Sequence, residues 1–248
     1  MGKHWRTFAR ASLALALAGC AGGCASGGGG VSQAPPSNTI EPGLGTGFLT
    51  PKPSYLRPLH AGVTTTAILT VGDTLFPNHP NEIPFVFVPQ PHGLAGRDAG
   101  NGLVELYATH QLDWESSTNG AIVSRLLLNQ HGAGVVSADF LLDGTENYSL
   151  LSSGTLVDAR EGFLGLTLFI NEASISGPWH GVVGAVDVHA GTITPLPWMG
   201  RFRHATTLIL RHTTGSVVAI ETERGAPGES QLWMYVASTP TDLLSGRG

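Results

Sequence analysis

The chain has 248 residues, 42% of them apolar and 12% charged, with 34 glycines, 16 prolines and two cysteines. This excludes a long coiled coil, a collagen-like repeat and a charge-driven disordered chain, and the length allows one domain with a real core, or two small ones. Thirteen Lys and Arg against eighteen Asp and Glu give a net charge of -5, so no basic excess is available for a phosphate backbone and nucleic acid is not an expected partner.

At the N-terminus, Lys3, Arg6 and Arg10 precede the apolar run Ala11 to Ala18, ASLALALA, which is too short to span a bilayer and has the pattern of a secretory signal. The run ends in Leu17, Ala18, Gly19 and Cys20, which resembles the bacterial lipobox. On that reading residues 1–19 are a lipoprotein signal peptide and Cys20 is the acylated first residue of the mature chain. The alternatives are an ordinary secretory signal cleaved elsewhere, for example after Ala25, and a cytosolic N-terminus that happens to be rich in Ala and Leu. Each buried CH₂ of an acyl chain contributes roughly 0.8 kcal/mol, so two or more chains anchor stably. The protein is then tethered to a membrane rather than spanning it. Ala21, rather than Asp, after Cys20 resembles lipoproteins sent to the outer membrane, which gives the bacterial cell envelope as the expected location. Loss of three basic leader residues takes the net charge from -5 to -8. No cysteine occurs from Ala25 onward, so the folded part has no disulfide and no thiolate metal site.

Residues 20–59 read as a Gly/Pro-rich tether and lead-in that drapes over the domain edge, and residues 60–248 as the folded domain. In that domain short runs rich in Val, Ile, Thr, Leu and aromatics are each closed by Gly, Pro, Asn or Asp, which predicts strands over Thr64–Val71, Ile83–Val88, Leu103–Thr109, Ile122–Leu128, Phe163–Ile170, Val182–Val188, Thr192–Leu196, Thr207–Leu210, Val217–Glu221 and Leu232–Ala237. Helical periodicity is absent after the leader, so the fold class is all-β. GAIVSRLLLNQHGAGVV from Gly120 and GVVGAVDVHAGTITPLP from Gly181 share the order strand, glycine turn, strand. This fits either successive propeller blades or any two hairpins of an antiparallel sheet.

Several segments occur in an order that resembles the PhoX-type alkaline phosphatase family: ILTVGDT from Ile68, PHGLAG from Pro91, ATHQL from Ala108, GAIVSRL from Gly120, INEAS from Ile170, GAVDVHAGTITPLPWMGRFRH from Gly184 and SQLWMYV from Ser230. The resemblance covers roughly residues 60–237. It implies a propeller-like fold and an exported phosphomonoesterase that uses calcium and iron held largely by carboxylates. The chain departs from the family pattern at three acidic positions, where it has His92, Gln111 after Thr109 and His110, and Ala205 after His204. Ca²⁺ takes several oxygen ligands, so these losses imply a degenerate site. About ten or eleven strands also make fewer than three four-stranded blades, so the propeller is expected to be incomplete or open.

The surviving candidates are Glu172, at a position matching a family carboxylate, with His110 and His92 as metal ligands, and Arg201 and His204 as phosphate-binding groups. Four of them have a plainer alternative: His110 as a strand-end hydrogen-bonding group, Glu172 as a solvated acid beside a turn, and Arg201 and His204 as part of a polar face. Asp73 and Asp187 read as turn residues, and Trp114, Trp179, Trp198 and Trp233 as packing aromatics, with carbohydrate stacking a remote alternative. There is no G-x-S-x-G, H-E-x-x-H or C-x-x-C, and the sole lysine after the leader is Lys52, beside Pro53. Serine hydrolase, P-loop, Schiff-base and dinucleotide chemistry are thereby set aside. Two functions remain: a noncatalytic envelope binding module for a small ligand, a glycan or another envelope protein, and a metal-dependent phosphomonoesterase with a reduced metal site acting on a small phosphoester. Feeding cells a clickable fatty acid should label the wild-type protein and leave Cys20→Ala unlabelled; an unlabelled wild-type chain would rule the anchor out.

Overall fold

The computed structural model describes residues 47–75, 84–113 and 120–247. The signal peptide, Cys20 and Trp114 lie outside the described residues. Alternating apolar residues closed by turn formers yield short antiparallel strands throughout. A two-stranded ribbon joins β1 (Thr74–Leu75) to β2 (Phe85–Val86). The first sheet is an antiparallel meander of β3 (Pro91–Gly100), β4 (Leu103–His110), β5 (Val123–Asn129) and β6 (Val135–Leu142). The second repeats the plan with β7 (Leu151–Val157), β8 (Thr167–Glu172), β9 (Val183–Asp187) and β10 (Thr192–Pro195). A 3₁₀ turn at Pro197–Met199 leads into the third, β11 (His204–Arg211), β12 (Val217–Glu223) and β13 (Leu232–Ala237), and a short helix α1 (Pro240–Ser245) follows. The fold is all-β, built from open antiparallel sheets with no closed barrel.

The first strands of the three sheets meet: β3 packs against β7, and β7 against β11. The two segments with shared pattern, from Gly120 and from Gly181, form β5–β6 and β9–β10, the third and fourth strands of their sheets. In the third sheet the chain turns into α1 after β13, where the other two have a fourth strand.

Three apolar layers lie between these elements. Phe48, Ile68, Leu75, Phe85 and Phe87 cover one face of the first sheet at Leu126, Leu128 and Val135. Tyr107, Val123 and Leu142 of the first sheet meet Leu151, Leu168, Ile170 and Val186 of the second. On the other side of the second sheet, Val157, Phe169, Val183 and Ala185 meet Ile209, Val217, Ala219 and Ala237 of the third, with Leu243 of α1 closing the layer. With both its faces covered, β8 is buried at every residue, sending Leu168 and Ile170 to one layer and Phe169 to the other. Each such side chain contributes roughly 1.5–3 kcal/mol on burial.

The predicted strands from Leu103, Ile122, Phe163, Val182, Thr192, Thr207, Val217 and Leu232 match β4, β5, β8, β9, β10, β11, β12 and β13 with shifted ends. Three corrections follow. Residues Thr64–Val71 form no strand; Ile68 and Leu69 pack into the first layer from irregular chain, and the Ile68 carbonyl accepts from Thr50 N. β3, β6 and β7 lie outside the predicted strands, because glycines and polar residues mask their pattern. Although helical periodicity is absent after the leader, Pro240–Ser245 is helical: Thr239 caps the N-terminus by accepting from Asp242 N, Pro240 stands in the first turn, and Gly246 ends the helix at φ 73°. In the lead-in, Phe48 pairs with Val135 of β6.

Candidate functional site

Polar side chains gather where the first strands meet. Close approach of β3 to β7 depends on Gly93, since a Cβ there would stand 2.5 Å from Ser153 Cα and 2.7 Å from Thr109 Oγ1. Around that contact, hydroxyls and amides satisfy backbone groups that water cannot reach. Ser152 on β7 donates to the carbonyls of His204 at 2.7 Å and Ala205 at 2.9 Å on β11. Thr155 donates to the Thr207 carbonyl, and Asn171 Nδ2 to Thr207 Oγ1 at 2.8 Å.

His92 and His204 both touch this seam. His92 Nδ1 lies 2.6 Å from the Ser152 carbonyl, with the ring on the exposed side. His204 is fully buried, and its Nδ1 lies 2.7 Å from Oε2 of Glu221, which is 1% exposed. Neither Nδ1 nor either Glu221 oxygen makes an aligned hydrogen bond, while Nε2 lies 3.4 Å from the Gly200 carbonyl. Phe202 covers the His204 ring at 3.7 Å between centroids. Two polar side chains this deep are shielded from water, and loss of either leaves the other buried with one fewer polar neighbour.

Glu172 points away from the seam. Its Oε1 accepts from Ser149 N at 2.9 Å, and Oε2 from Gly181 N at 2.8 Å and Val182 N at 3.3 Å. Burial holds this carboxyl above the usual carboxylate range, opposed by the three backbone donors. Arg201 is exposed and donates through Nη1 to the Trp179 carbonyl at 2.6 Å. Phe202 N donates to the Gly181 carbonyl at 3.1 Å. Glu172, Arg201 and Phe202 thus fix one loop, residues 173–182. Gly181 is required in it, with φ 74° and room for a Cβ only 2.1 Å from Phe202 O.

His110 is buried on β4, with Nδ1 2.9 Å from the Pro89 carbonyl and Nε2 2.8 Å from Ser124 Oγ. The carbonyl can only accept, so Nδ1 carries the proton and Nε2 accepts from Ser124. Burial pushes the imidazole below its ordinary 6.5.

The structure therefore brings His92 and His204 to one seam and sets Glu172, Arg201 and His110 in separate supporting roles. Among the described residues, no three His, Cys, Asp or Glu side chains group as they would to hold a metal ion. The calcium and iron implied by the family resemblance do not fit this donor set: Glu172 and His110 already have partners, and Ca²⁺ needs six to eight oxygens. Glu221 was not among the sequence candidates. Its signal was spacing of two from Val217 and Ala219, but Val218 and Ile220 between them blurred the alternation. Asp73 and Asp187 hold turns as expected, Asp73 accepting from Thr70 N at 2.7 Å and Asp187 from His189 N and Ala190 N at 2.9 Å.

In comparisons with protein-family models, curated proteins and solved structures, no match was found for this chain.

Glu221→Ala should destabilise the protein by about 1–3 kcal/mol in urea denaturation, whereas Glu221→Leu combined with His204→Phe should recover most of that loss. Titration of His110 gives a second expectation. Because its folded pKa is depressed, its contribution is complete above 6.5 and is lost as pH falls below that value, where the unfolded chain binds a proton the folded one refuses. The fall in Tm on acidification should be shallower in His110→Gln than in the wild type.

Proposed function

We propose that the protein is an exported, lipid-anchored module of the bacterial envelope, related to the PhoX-type phosphatases in its propeller-like plan, and that it binds rather than catalyses. The observation that carries this reading is the environment of Glu172. The carboxylate best placed to hold a metal spends both oxygens on backbone N–H groups of its own fold, 0% exposed. A metal would have to displace those three bonds and leave buried donors unsatisfied.

A small polar ligand has a place to bind. A cleft of about 310 Å³ lies between the turn at Gly162–Gly165, β10 and α1. Thr167, Thr192, Thr194 and Thr241 line it with hydroxyls, and Asp187 adds a carboxylate. Such a lining suits hydroxyl-rich ligands better than phosphoesters, since it offers an anion no cationic partner.

Metal analysis of the purified chain, with a p-nitrophenyl phosphate assay in added calcium and iron, tests the reading. The expected result is substoichiometric metal and turnover at the blank rate. Stoichiometric metal with turnover lost in both Glu172→Gln and His92→Ala would establish the phosphatase instead; His92→Ala alters an exposed ring and guards against a folding artefact.

A further inference from the structure

The third sheet has one face in the core and one that no described residue covers. Thr207, Ile209, Ala219 and Ala237 point inward and are buried. The strand register places the alternate residues in ranks on the opposite face: Leu208, Ile220 and Met234 in one, and Leu210, Val218 and Val236 in the next. A third rank of Thr206, Thr222 and Leu232 extends it. No charged residue interrupts these three ranks.

The exposure is substantial: Leu232 is 71% exposed, Met234 69%, Leu208 48%, Val236 46% and Leu210 44%. Together these side chains present roughly 500 Å² of apolar surface, near the top of the range for the largest patch on an ordinary monomer. The outward face of the first sheet meets the same difficulty and is covered by Phe48, Ile68 and the β1–β2 ribbon. Helix α1 gives the third sheet no such cover, because its Leu243 packs on the inner side.

We propose that this face is a homodimer interface, occupied by the same face of a second copy. Two identical faces laid together remove about 1,000 Å² from water, which reaches the threshold of a specific interface. Being free of charge across three ranks, the face meets its own copy without like-charge repulsion and offers an oppositely charged partner nothing to recognise. A two-fold axis through the sheet pairs the patch with itself and closes the assembly at two chains. Two twisted sheets pack face to face about 10 Å apart, the spacing of a β-sandwich. The inference is independent of whether the protein binds a ligand or turns over a phosphoester.

Sedimentation equilibrium on the full chain, synthesised without membranes so that it carries no acyl group, tests it. The wild type should sediment as a dimer, and Met234→Glu and Leu208→Glu should each weaken association at least tenfold with an unchanged circular dichroism spectrum. Should a charge disturb folding, Val236→Thr keeps a β-branched side chain and should still weaken the dimer. Leu59→Glu, fully exposed in the lead-in, should leave it intact. A wild-type monomer up to millimolar concentration would overturn the proposal, as would self-association that persists in both glutamate variants. A monomer that floats with phosphatidylethanolamine and phosphatidylglycerol vesicles, and stops doing so in Met234→Glu, would assign the face to lipid and equally overturn it.

Discussion

The structure depends on how closely the first strands of neighbouring sheets approach. At Gly93 there is no space for a methyl group between β3 and β7. Strands this close expel water from between them, and every backbone carbonyl at the contact then needs a protein donor. Ser152 and Thr155 donate to carbonyls of the third sheet, Asn171 donates to the Thr207 hydroxyl, and these bonds link the second sheet to the third. The polar residues at the centre therefore act as internal fasteners. A buried hydrogen bond of this kind contributes about 1 kcal/mol when made and costs more when one member is removed.

Two buried glutamates show how environment, rather than residue type, decides a role. Glu172 sits among backbone donors and anchors a loop, while Glu221 meets one histidine and no aligned donor. The first is a satisfied structural carboxylate, and the second is a buried carboxyl whose close polar neighbour is the His204 ring. Neither is arranged to share a cation with His92 or His110. This is the physical ground for the proposal that the chain binds rather than catalyses, and it would hold for any relative that places the same donors around the same acid.

Much of the architecture can be read from the chain. Strands such as β5 and β8, third and second in their sheets, carry apolar stretches (Leu126–Leu128, Leu168–Ile170) that are legible in the chain. The innermost strands are not, since close approach selects glycine and serine in β3 and β7, the residues that otherwise signal turns. The same inversion hid part of the site. Glu172 and His110 could be picked out as chemically capable residues, but their hydrogen-bond partners, Ser149, Gly181 and Pro89, lie 21 or 23 residues away or across a turn and leave no local trace. Helix α1 had all its capping residues in view at Thr239, Asp242 and Gly246, and its shortness concealed it.

Each hydrophobic layer joins segments that follow one another along the chain: lead-in with first sheet, first with second, second with third. Assembly can therefore proceed by accretion, every meander finding a finished platform already laid down by the stretch before it. The contacts between successive sheets nevertheless span long stretches of chain, 52 and 53 residues for Ser152 to His204 and Ala205, so each docking step closes a long loop and is slow relative to helix formation. An interruption partway would leave a shorter stack with one bare side rather than a tangled intermediate.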